Sequence, residues 1–258
     1  MGTKVKETCT VISQECIAKD IYSMWISTKA IAREAKPGQF VSVYTKDASR
    51  LLPRPISLCE IDREKDALRI VYRIAGDGTR EFSRLRAGDT IDILGPLGNG
   101  FPLEEAKGKR VMLMGGGIGI PPMLETAKAI QGEKIIVSGY RDELFLTEEL
   151  NAAGQLYLAT EDGSAGTKGN VLDAVKANRL EADLIFACGP TPMLRAIKAY
   201  ALDKGIPCWV SMEEKMACGI GACLACVCKS TKVDGHSQVH NKRICKDGPV
   251  FLSTEVEL

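Results

Sequence analysis

Four cysteines near the C-terminus have the residue type and spacing needed to hold an inorganic cluster. Cys218, Cys223 and Cys226 follow a C-x4-C-x2-C pattern, and Cys245 lies further along the chain. Three thiolates at this spacing, with a more distant fourth, form the ligand pattern of a plant-type [2Fe–2S] cluster. The sequence therefore predicts that these four cysteines bind a one-electron carrier, and that the chain transfers electrons.

The residues between the cysteines favour a cluster over two other uses of thiols. Gly219, Gly221 and the interleaved alanines let the backbone curl closely and direct N–H groups at the cluster sulfurs. Structural zinc sites usually combine two spaced C-x2-C pairs, and buried unreactive thiols need no fixed spacing. A structural zinc site and buried unreactive thiols both remain alternatives to the cluster. Cys228 is a second candidate for the third ligand, although the C-x4-C-x2-C spacing favours Cys226.

Composition limits the class of protein. The chain has 258 residues, 45% of them hydrophobic, and a net charge of +1, which suits two domains with a small appendage and gives no sign of nucleic-acid binding. No apolar run reaches membrane-spanning length, and ten cysteines without a secretory signal favour a reducing cytoplasm. His236 and His240 lie in a polar stretch, and we expect solvated loop residues rather than ligands of a metal or a Rieske-type cluster.

The pattern of elements changes twice along the chain. Residues 1–100 contain short segments rich in Val, Ile, Thr and Tyr between Gly and Pro turns, which predicts a small antiparallel β barrel. Residues 101–207 alternate apolar strands with helical segments, which predicts an α/β domain with a parallel sheet covered on both faces. Residues 208–258 form a small C-terminal cluster-binding domain in this interpretation.

Two glycine-rich strand ends in the α/β domain predict a nucleotide crevice. A glycine run follows one predicted strand and precedes a helix, where backbone N–H groups can bind a pyrophosphate. A second such segment ends another strand at the same sheet edge. A tight strand–helix turn is the alternative for the first, and Cys188 is expected to pack and position rather than act as a nucleophile. The candidate nucleotide-binding residues are Gly115, Gly116, Gly117, Gly119, Cys188, Gly189 and Pro190.

Three short motifs in the barrel have side chains suited to a phosphorylated ligand. Arg54 can bind phosphate with two parallel hydrogen bonds, and Ser57 can present a hydroxyl to a ring nitrogen. Taken alone, each motif also fits an ordinary strand or a solvated surface. The motif residues are Arg54, Pro55, Ile56, Ser57, Val71, Tyr72, Arg73, Gly78 and Thr79.

The order RPIS, YR, GT, GPLGNGF, GGGIGIPPM, CGP resembles the ferredoxin–NADP⁺ reductase superfamily. The resemblance implies an FAD-binding barrel followed by a nicotinamide-nucleotide domain. It implies that Arg54 binds FAD phosphate, that Ser57 lies near flavin N5, and that the main chain of 71–73 contacts the flavin. Gly78 and Thr79 would hold the pyrophosphate. Ile56 is a departure, because many members stack an aromatic residue on the flavin there.

The segment MEEKMACGIGACLACVCK, with the motifs above, resembles the electron-transfer subunits of type B dihydroorotate dehydrogenase over essentially the whole chain. The resemblance implies a partner catalytic subunit that holds FMN, in a heterotetramer of two subunits of each kind. Electrons from dihydroorotate would pass through the [2Fe–2S] cluster and FAD to NAD⁺, in pyrimidine (UMP) biosynthesis. No residue of this chain is expected to be catalytic toward dihydroorotate.

The partner protein and the choice between NAD and NADP stay open at this point. Flavin must lie between cluster and nicotinamide, because the cluster passes one electron at a time and a hydride carries two. The same cofactors would also serve an NAD(P)H–ferredoxin reductase or a hydrogenase-linked subunit with another partner. Arg141 and Asp142 follow the second strand of the α/β domain and fit either NADP or NAD, and the resemblance favours NAD.

Overall fold

A computed structural model describes residues 3–233 and 238–258. The N-terminal part forms β1 (Val5–Ala18), β2 (Ile21–Ser27), β3 (Phe40–Tyr44), β4 (Arg54–Asp62), β5 (Ala67–Arg73) and β6 (Thr90–Leu97), with helices α1 (Lys29–Glu34) and α2 (Asp77–Phe82). These strands close into an antiparallel barrel in the order β1-β2-β5-β4-β3-β6. The predicted antiparallel barrel is confirmed.

Strand β3 has one face inside the barrel and one face outside it. Val41 and Val43 belong to the apolar core of the barrel, whereas Phe40 belongs to the core that the C-terminal part of the chain completes. Because side chains alternate along a strand, Ser42 and Tyr44 share the outer face with Phe40. The outer face of β3 is therefore the surface on which the rest of the molecule packs.

The remainder of the chain supplies nine strands and four helices in the described residues. The strands are β7 (Val111–Gly116), β8 (Lys134–Tyr140), β9 (Gln155–Thr160), β10 (Thr167–Lys168), β11 (Leu184–Cys188), β12 (Cys208–Ser211), β13 (Val227–Lys229), β14 (Asn241–Arg243) and β15 (Val250–Leu252). The helices are α3 (Pro121–Ala129), α4 (Thr147–Ala153), α5 (Val171–Ala177) and α6 (Thr191–Lys204). Short 3-10 turns cover Leu103–Ala106, Gly117–Gly119 and Ser253–Glu255.

Seven of these strands form one sheet in the order β10-β9-β8-β7-β11-β12-β15, and all neighbours are parallel except β12 and β15. Helices α3 and α4 pack on one face with Leu113 and Ile136, and α5 and α6 pack on the other with Met112 and Val137. The predicted parallel sheet with two covered faces is confirmed. In the described part of the chain, no helix is both long enough and apolar enough to cross a membrane.

The C-terminal segment returns to this sheet after it has formed the cysteine loop. Strands β13 and β14 pair as a small hairpin, and β15 then lies antiparallel beside β12, with Val210 opposite Phe251. Strand β15 has no clear signal in the sequence, because a three-residue strand is too short to show a period. This return fixes the cysteine loop between the barrel and the sheet.

The barrel and the α/β domain meet through buried charged groups as well as apolar ones. The Glu125 carboxylate on α3 accepts a hydrogen bond of 3.0 Å from the N–H of Ile61 on β4. Arg69 of the barrel donates to Glu60 at 2.6 Å, and Lys128 of α3 also pairs with Glu60. Since α3 begins at the glycine-rich turn, these bonds hold the glycine-rich edge of the sheet in a fixed position against the barrel.

Candidate functional site

A cavity of about 530 Å³ lies where the barrel, the sheet edge and the segment before the cysteines meet. Its size is within the range of small-molecule and cofactor sites. It brings together residues from all three predicted barrel motifs. The lining consists of Phe40, Arg54, Pro55, Ile56, Ser57, Val71, Tyr72, Arg73, Ala75, Thr79, Ile118, Ser211, Met212, Glu213, Glu214, Lys215, Met216 and Pro249. A larger cavity of about 740 Å³, between Lys36 and Lys246, contains none of the predicted site residues.

Arg54 begins strand β4, and its guanidinium packs against Gly78 in the first turn of helix α2. A Cβ on Gly78 would lie 2.3 Å from Arg54 Nε, so a larger residue there would displace the guanidinium. The Thr79 hydroxyl accepts hydrogen bonds from the N–H groups of Ala75 (2.9 Å) and Gly76 (3.3 Å), which orders the preceding loop. The arrangement presents a fixed cation beside an ordered turn, as a phosphorylated ligand requires.

The side chain of Tyr72 belongs to the barrel rather than to the cavity. Its hydroxyl donates a 2.6 Å hydrogen bond to Gln14 Oε1, and its ring stacks on Tyr22 with centroids 6.0 Å apart. Burial raises the pKa of Tyr72, so the phenol stays neutral. The main chain around Tyr72 is then the part that can meet a ligand. Ser57 is half-buried on the cavity wall, opposite Phe40 in the β3–β4 register.

The two glycine-rich strand ends lie side by side. Strands β7 and β11 are neighbours, with Cys188 opposite Gly115. A Cβ on Gly119 would lie 2.4 Å from the Cys188 carbonyl oxygen, and one on Gly116 would lie 2.4 Å from Met193 Sδ. Burial raises the pKa of the Cys188 thiol, which therefore stays protonated and suits packing rather than nucleophilic attack.

Sequence reasoning missed the segment that closes the cavity from the C-terminal side. Glu213 lines the cavity with its neighbours on both sides. Ile118 and Pro249 also reach the cavity, from the glycine-rich turn and from the strand that rejoins the sheet. The available signal was the position of this segment in the sequence, since 211–216 connects a sheet strand to Cys218, the first cysteine of the loop.

The cysteine loop directs backbone N–H groups at its thiols. Cys218 Sγ accepts from the N–H groups of Ile220 (3.4 Å) and Ala222 (3.3 Å). Cys226 Sγ accepts from the N–H of Cys245 at 3.4 Å. Hydrogen bonds of this kind stabilise the thiolates of iron–sulfur clusters. The loop can make them because glycines adopt left-handed φ of +69° at position 219 and +86° at position 221.

The thiols lie in two pairs. Burial acts to raise the pKa of Cys218, but hydrogen bonds from Ile220, Cys223 and Ala222 outweigh it and lower the pKa to about 6. Burial and the neighbouring Cys226 raise the pKa of Cys245 to about 12. Among residues 3–233 and 238–258, no group of three or more His, Cys, Asp or Glu is arranged for a metal ion. The hydrogen bonds set Cys218 beside Cys223 and Cys226 beside Cys245, and this arrangement fits a [2Fe–2S] cluster, in which each iron atom takes two thiolates.

Cys228 faces a different environment from Cys226. It lies within the β13–β14 hairpin, opposite Lys242, and burial raises the pKa of its thiol. Its position in a hairpin favours a packing role. His240 is exposed and places Nδ1 3.1 Å from the Ser230 carbonyl oxygen, whereas His236 lies outside the described residues.

The cysteine loop has a buried side and an exposed side. Cys226 and Cys245 are buried, Cys218 is half-buried and Cys223 is exposed. Beside Cys223, the side chains of Ile220 and Leu224 are 44% and 64% exposed. Two large apolar side chains beside the exposed Cys223 are an unusual surface for a solvated loop. Arg141 and Asp142, the candidate residues for choosing between nucleotides, are both exposed after β8.

The comparisons with known proteins agree with this geometry. A family model described as the iron–sulfur cluster binding domain of dihydroorotate dehydrogenase B matches residues 213–257. The chain is 46% identical over 260 residues to the dihydroorotate dehydrogenase B (NAD⁺) electron transfer subunit of Bacillus caldolyticus, covering 98% of this chain and 99% of the relative. The subunit of the same name from Fusobacterium nucleatum is 43% identical, covering 98% of each chain.

Solved structures share the fold. An NADH-dependent reduced ferredoxin–NADP oxidoreductase structure, described for flavin-based electron bifurcation, is 31% identical with a TM-score of 0.84, covering 96% of this chain and 89% of that chain. A ferredoxin–NADP⁺ reductase from Neisseria gonorrhoeae with bound FAD and NADP has a TM-score of 0.64, covering 78% of this chain and 92% of that chain. At 17% identity the second likeness shows the fold alone.

Proposed function

Because the chain belongs to the family of electron transfer subunits of dihydroorotate dehydrogenase B, we propose that its three segments each serve one redox group. Residues 1–100 bind FAD, residues 101–207 bind NAD, and residues 208–258 bind the [2Fe–2S] cluster. The subunit passes electrons from dihydroorotate oxidation in a catalytic partner through the cluster and FAD to NAD⁺, in pyrimidine biosynthesis. When bound, FAD exchanges single electrons with the cluster and a hydride with the nicotinamide.

One observation carries this assignment. The segment 211–216 lines the cavity next to the barrel motifs and runs directly into Cys218. The chain itself thus connects the flavin cavity to the cysteine loop without an intervening domain. Electron transfer between two bound groups needs such proximity, and neither a regulatory nucleotide site nor a structural zinc site does.

In the flavin cavity, the residues bind, orient and exclude water. Arg54 neutralises phosphate charge while Gly78 keeps the guanidinium in place. Ser57 offers its hydroxyl at the ring, and the main chain of 71–73 supplies further polar groups. Glu213 and its neighbours close the cavity from the other side. Glycines 115, 116, 117 and 119, with Cys188, Gly189 and Pro190, let the nicotinamide nucleotide approach the sheet edge closely.

In the cysteine loop, we assign the four ligands as Cys218, Cys223, Cys226 and Cys245. The N–H groups of Ile220 and Ala222 support this choice, as does the bond from the Cys245 N–H to Cys226 Sγ. Cys228 then serves as a buried residue of the hairpin.

The exposed side of the cysteine loop is the proposed docking face for the catalytic subunit. Ile220 and Leu224 can be covered by a partner, and the exposed Cys223 brings the cluster within reach of its flavin. We propose that this flavin is FMN and that the assembly contains two subunits of each kind. The ten cysteines are all free, which supports a place in the reducing cytoplasm.

Replacing Gly78 by alanine is expected to weaken FAD binding about tenfold, or about 1.4 kcal/mol, because the new Cβ displaces the Arg54 guanidinium. Helix propensity acts in the opposite direction, since alanine in α2 adds up to about 1 kcal/mol of helix stability. Weaker FAD binding without a loss of fold stability would therefore separate the two effects. Gly76→Ala is the matched control, because a Cβ at Gly76 meets nothing within 4 Å. Fluorescence titration of FAD into the FAD-free protein measures the affinity of each variant. Equal affinities in Gly78→Ala and Gly76→Ala would contradict the role of Gly78.

The assignment of groups is tested on the chain purified without oxygen. We expect bound FAD, iron and acid-labile sulfide, and we expect NADH to bleach both the flavin and the cluster absorption. A colourless protein that contains zinc would contradict the account. So would a cluster that stays oxidised while the flavin is reduced.

The likeness to an NADH-dependent reduced ferredoxin–NADP oxidoreductase supports one rival, a subunit that exchanges electrons with ferredoxin. This rival predicts the same fold and cofactors, so the partner separates the two. Reduction of ferredoxin by NADH through this chain, with no response to dihydroorotate in the presence of the catalytic subunit, would favour the rival.

A further inference from the structure

We propose that the hydroxyl group of Ser42, on barrel strand β3, donates a hydrogen bond to a sulfur atom of the [2Fe–2S] cluster and raises the reduction potential of the cluster. The inference rests on the proposed placement of the cluster among Cys218, Cys223, Cys226 and Cys245. It gives the flavin-binding barrel a part in tuning the neighbouring redox group.

The cysteine loop packs directly on Ser42. A Cβ built on Gly219 would lie 2.9 Å from Ser42 Oγ and 3.1 Å from Leu97 Cδ1. Gly219 is buried and comes immediately after Cys218, so the serine lies beneath the first turn of the cysteine loop. Any larger residue at position 219 would push this turn away from the barrel.

The Ser42 hydroxyl is fully buried, and the described part of the chain provides no hydrogen-bond partner for it. In the strand register its neighbours are Pro55 on β4 and Leu94 on β6. A buried hydroxyl left unpaired costs about 1–3 kcal/mol, so such a group in a native fold calls for an acceptor. Cluster sulfur is an acceptor that the adjacent loop is built to hold.

Strand β3 also lies between the two redox sites. Phe40 lines the flavin cavity, Ser42 lies under Gly219, and Tyr44 follows on the same outer face. The outer face of β3 thus runs from the flavin cavity to the cysteine loop, with Ser42 in its middle.

The expected effect follows from the charge of the cluster. Reduction adds one negative charge, and a hydrogen bond to sulfur is stronger when the acceptor is more negative. The bond therefore stabilises the reduced state and raises the potential. Its loss is expected to change the ratio of reduced to oxidised cluster about tenfold at a fixed potential, which corresponds to about 59 mV for a one-electron couple.

The test is a redox titration of the purified, cluster-loaded chain, followed by electron paramagnetic resonance of the reduced cluster. Ser42→Ala is expected to lower the midpoint potential of the cluster, so that the ratio of reduced to oxidised cluster at a fixed potential falls about tenfold. Ser42→Thr keeps the hydroxyl, and its midpoint potential should stay near that of the wild type. Ser138→Ala is the matched control, because Ser138 is also a fully buried serine and it lies on β8 of the α/β domain. Its cluster midpoint should not move.

An unchanged midpoint in a fully loaded Ser42→Ala protein would overturn the inference. If this variant fails to retain the cluster, the test is the free energy of unfolding of the cluster-free variant and wild type, measured by chemical denaturation. If the cluster is the partner of the Ser42 hydroxyl, the hydroxyl does not stabilise the fold when the cluster is absent. Cluster-free Ser42→Ala should then be at least as stable as cluster-free wild type. A less stable variant would overturn the inference. Failure of the wild-type chain to bind iron and sulfide would instead overturn the proposed function.

Discussion

Replacing Cys226 by alanine is expected to remove the [2Fe–2S] cluster, whereas replacing Cys228 by alanine should leave it in place. Cys226 Sγ lies 3.4 Å from the Cys245 N–H in the paired arrangement of thiols, and Cys228 lies in the hairpin opposite Lys242. Iron and sulfide analysis with the visible spectrum measures the difference. FAD reduction by NADH should survive in both variants, because the flavin cavity contains neither cysteine.

The pair of variants is informative because the two cysteines are two residues apart and both are buried. A general loss of fold would affect both, so Cys228→Ala controls for packing. Retention of a full cluster in Cys226→Ala, with its loss in Cys228→Ala, would reverse the assignment of the third ligand. Loss of FAD reduction in either variant would contradict the separation of the two sites.

Replacing Arg54 by glutamine is expected to weaken FAD binding by about 100-fold, or about 3 kcal/mol, because charge-assisted hydrogen bonds to phosphate contribute about 1.5–3 kcal/mol each. Titration of FAD into the flavin-free protein measures the dissociation constant. The cluster content should not change, because Arg54 stands at the cavity and not in the cysteine loop.

Arg50→Gln is the control for Arg54→Gln. Arg50 also carries a guanidinium group in the barrel, but it pairs with Asp47, Asp77 and Glu81 and does not line the cavity. We expect its FAD affinity to stay close to that of the wild type. An equal loss of affinity in both variants would mean that general positive charge, rather than the position of Arg54, holds the flavin.

Local pattern was sufficient to predict most of the fold. The six barrel segments carry β-branched residues between Gly and Pro turns, and helix α3 begins at Pro121 as the first-turn preference of proline predicts. The cysteine spacing predicted the loop because three of the four proposed ligands, all except Cys245, are close together in sequence. The motifs around Arg54 became informative only through their order along the chain.

What could not be predicted depends on contacts between distant segments. The placement of β15 beside β12 joins residues about forty positions apart through a strand too short to show a period. Glu213 reaches the flavin cavity only because the segment after β12 crosses it. Ser42 looked like an ordinary strand residue, since the sequence does not show that its outer neighbour is Gly219.

The central claim is that this chain carries electrons from dihydroorotate oxidation to NAD⁺. The most direct measurement uses the chain co-expressed with an FMN-type dihydroorotate dehydrogenase and purified without oxygen, with the visible spectrum recorded as dihydroorotate is added. The account predicts that the flavin and cluster bands bleach and that NADH accumulates when NAD⁺ is present. A complex whose flavin and cluster bleach with NADH but do not respond to dihydroorotate would contradict it.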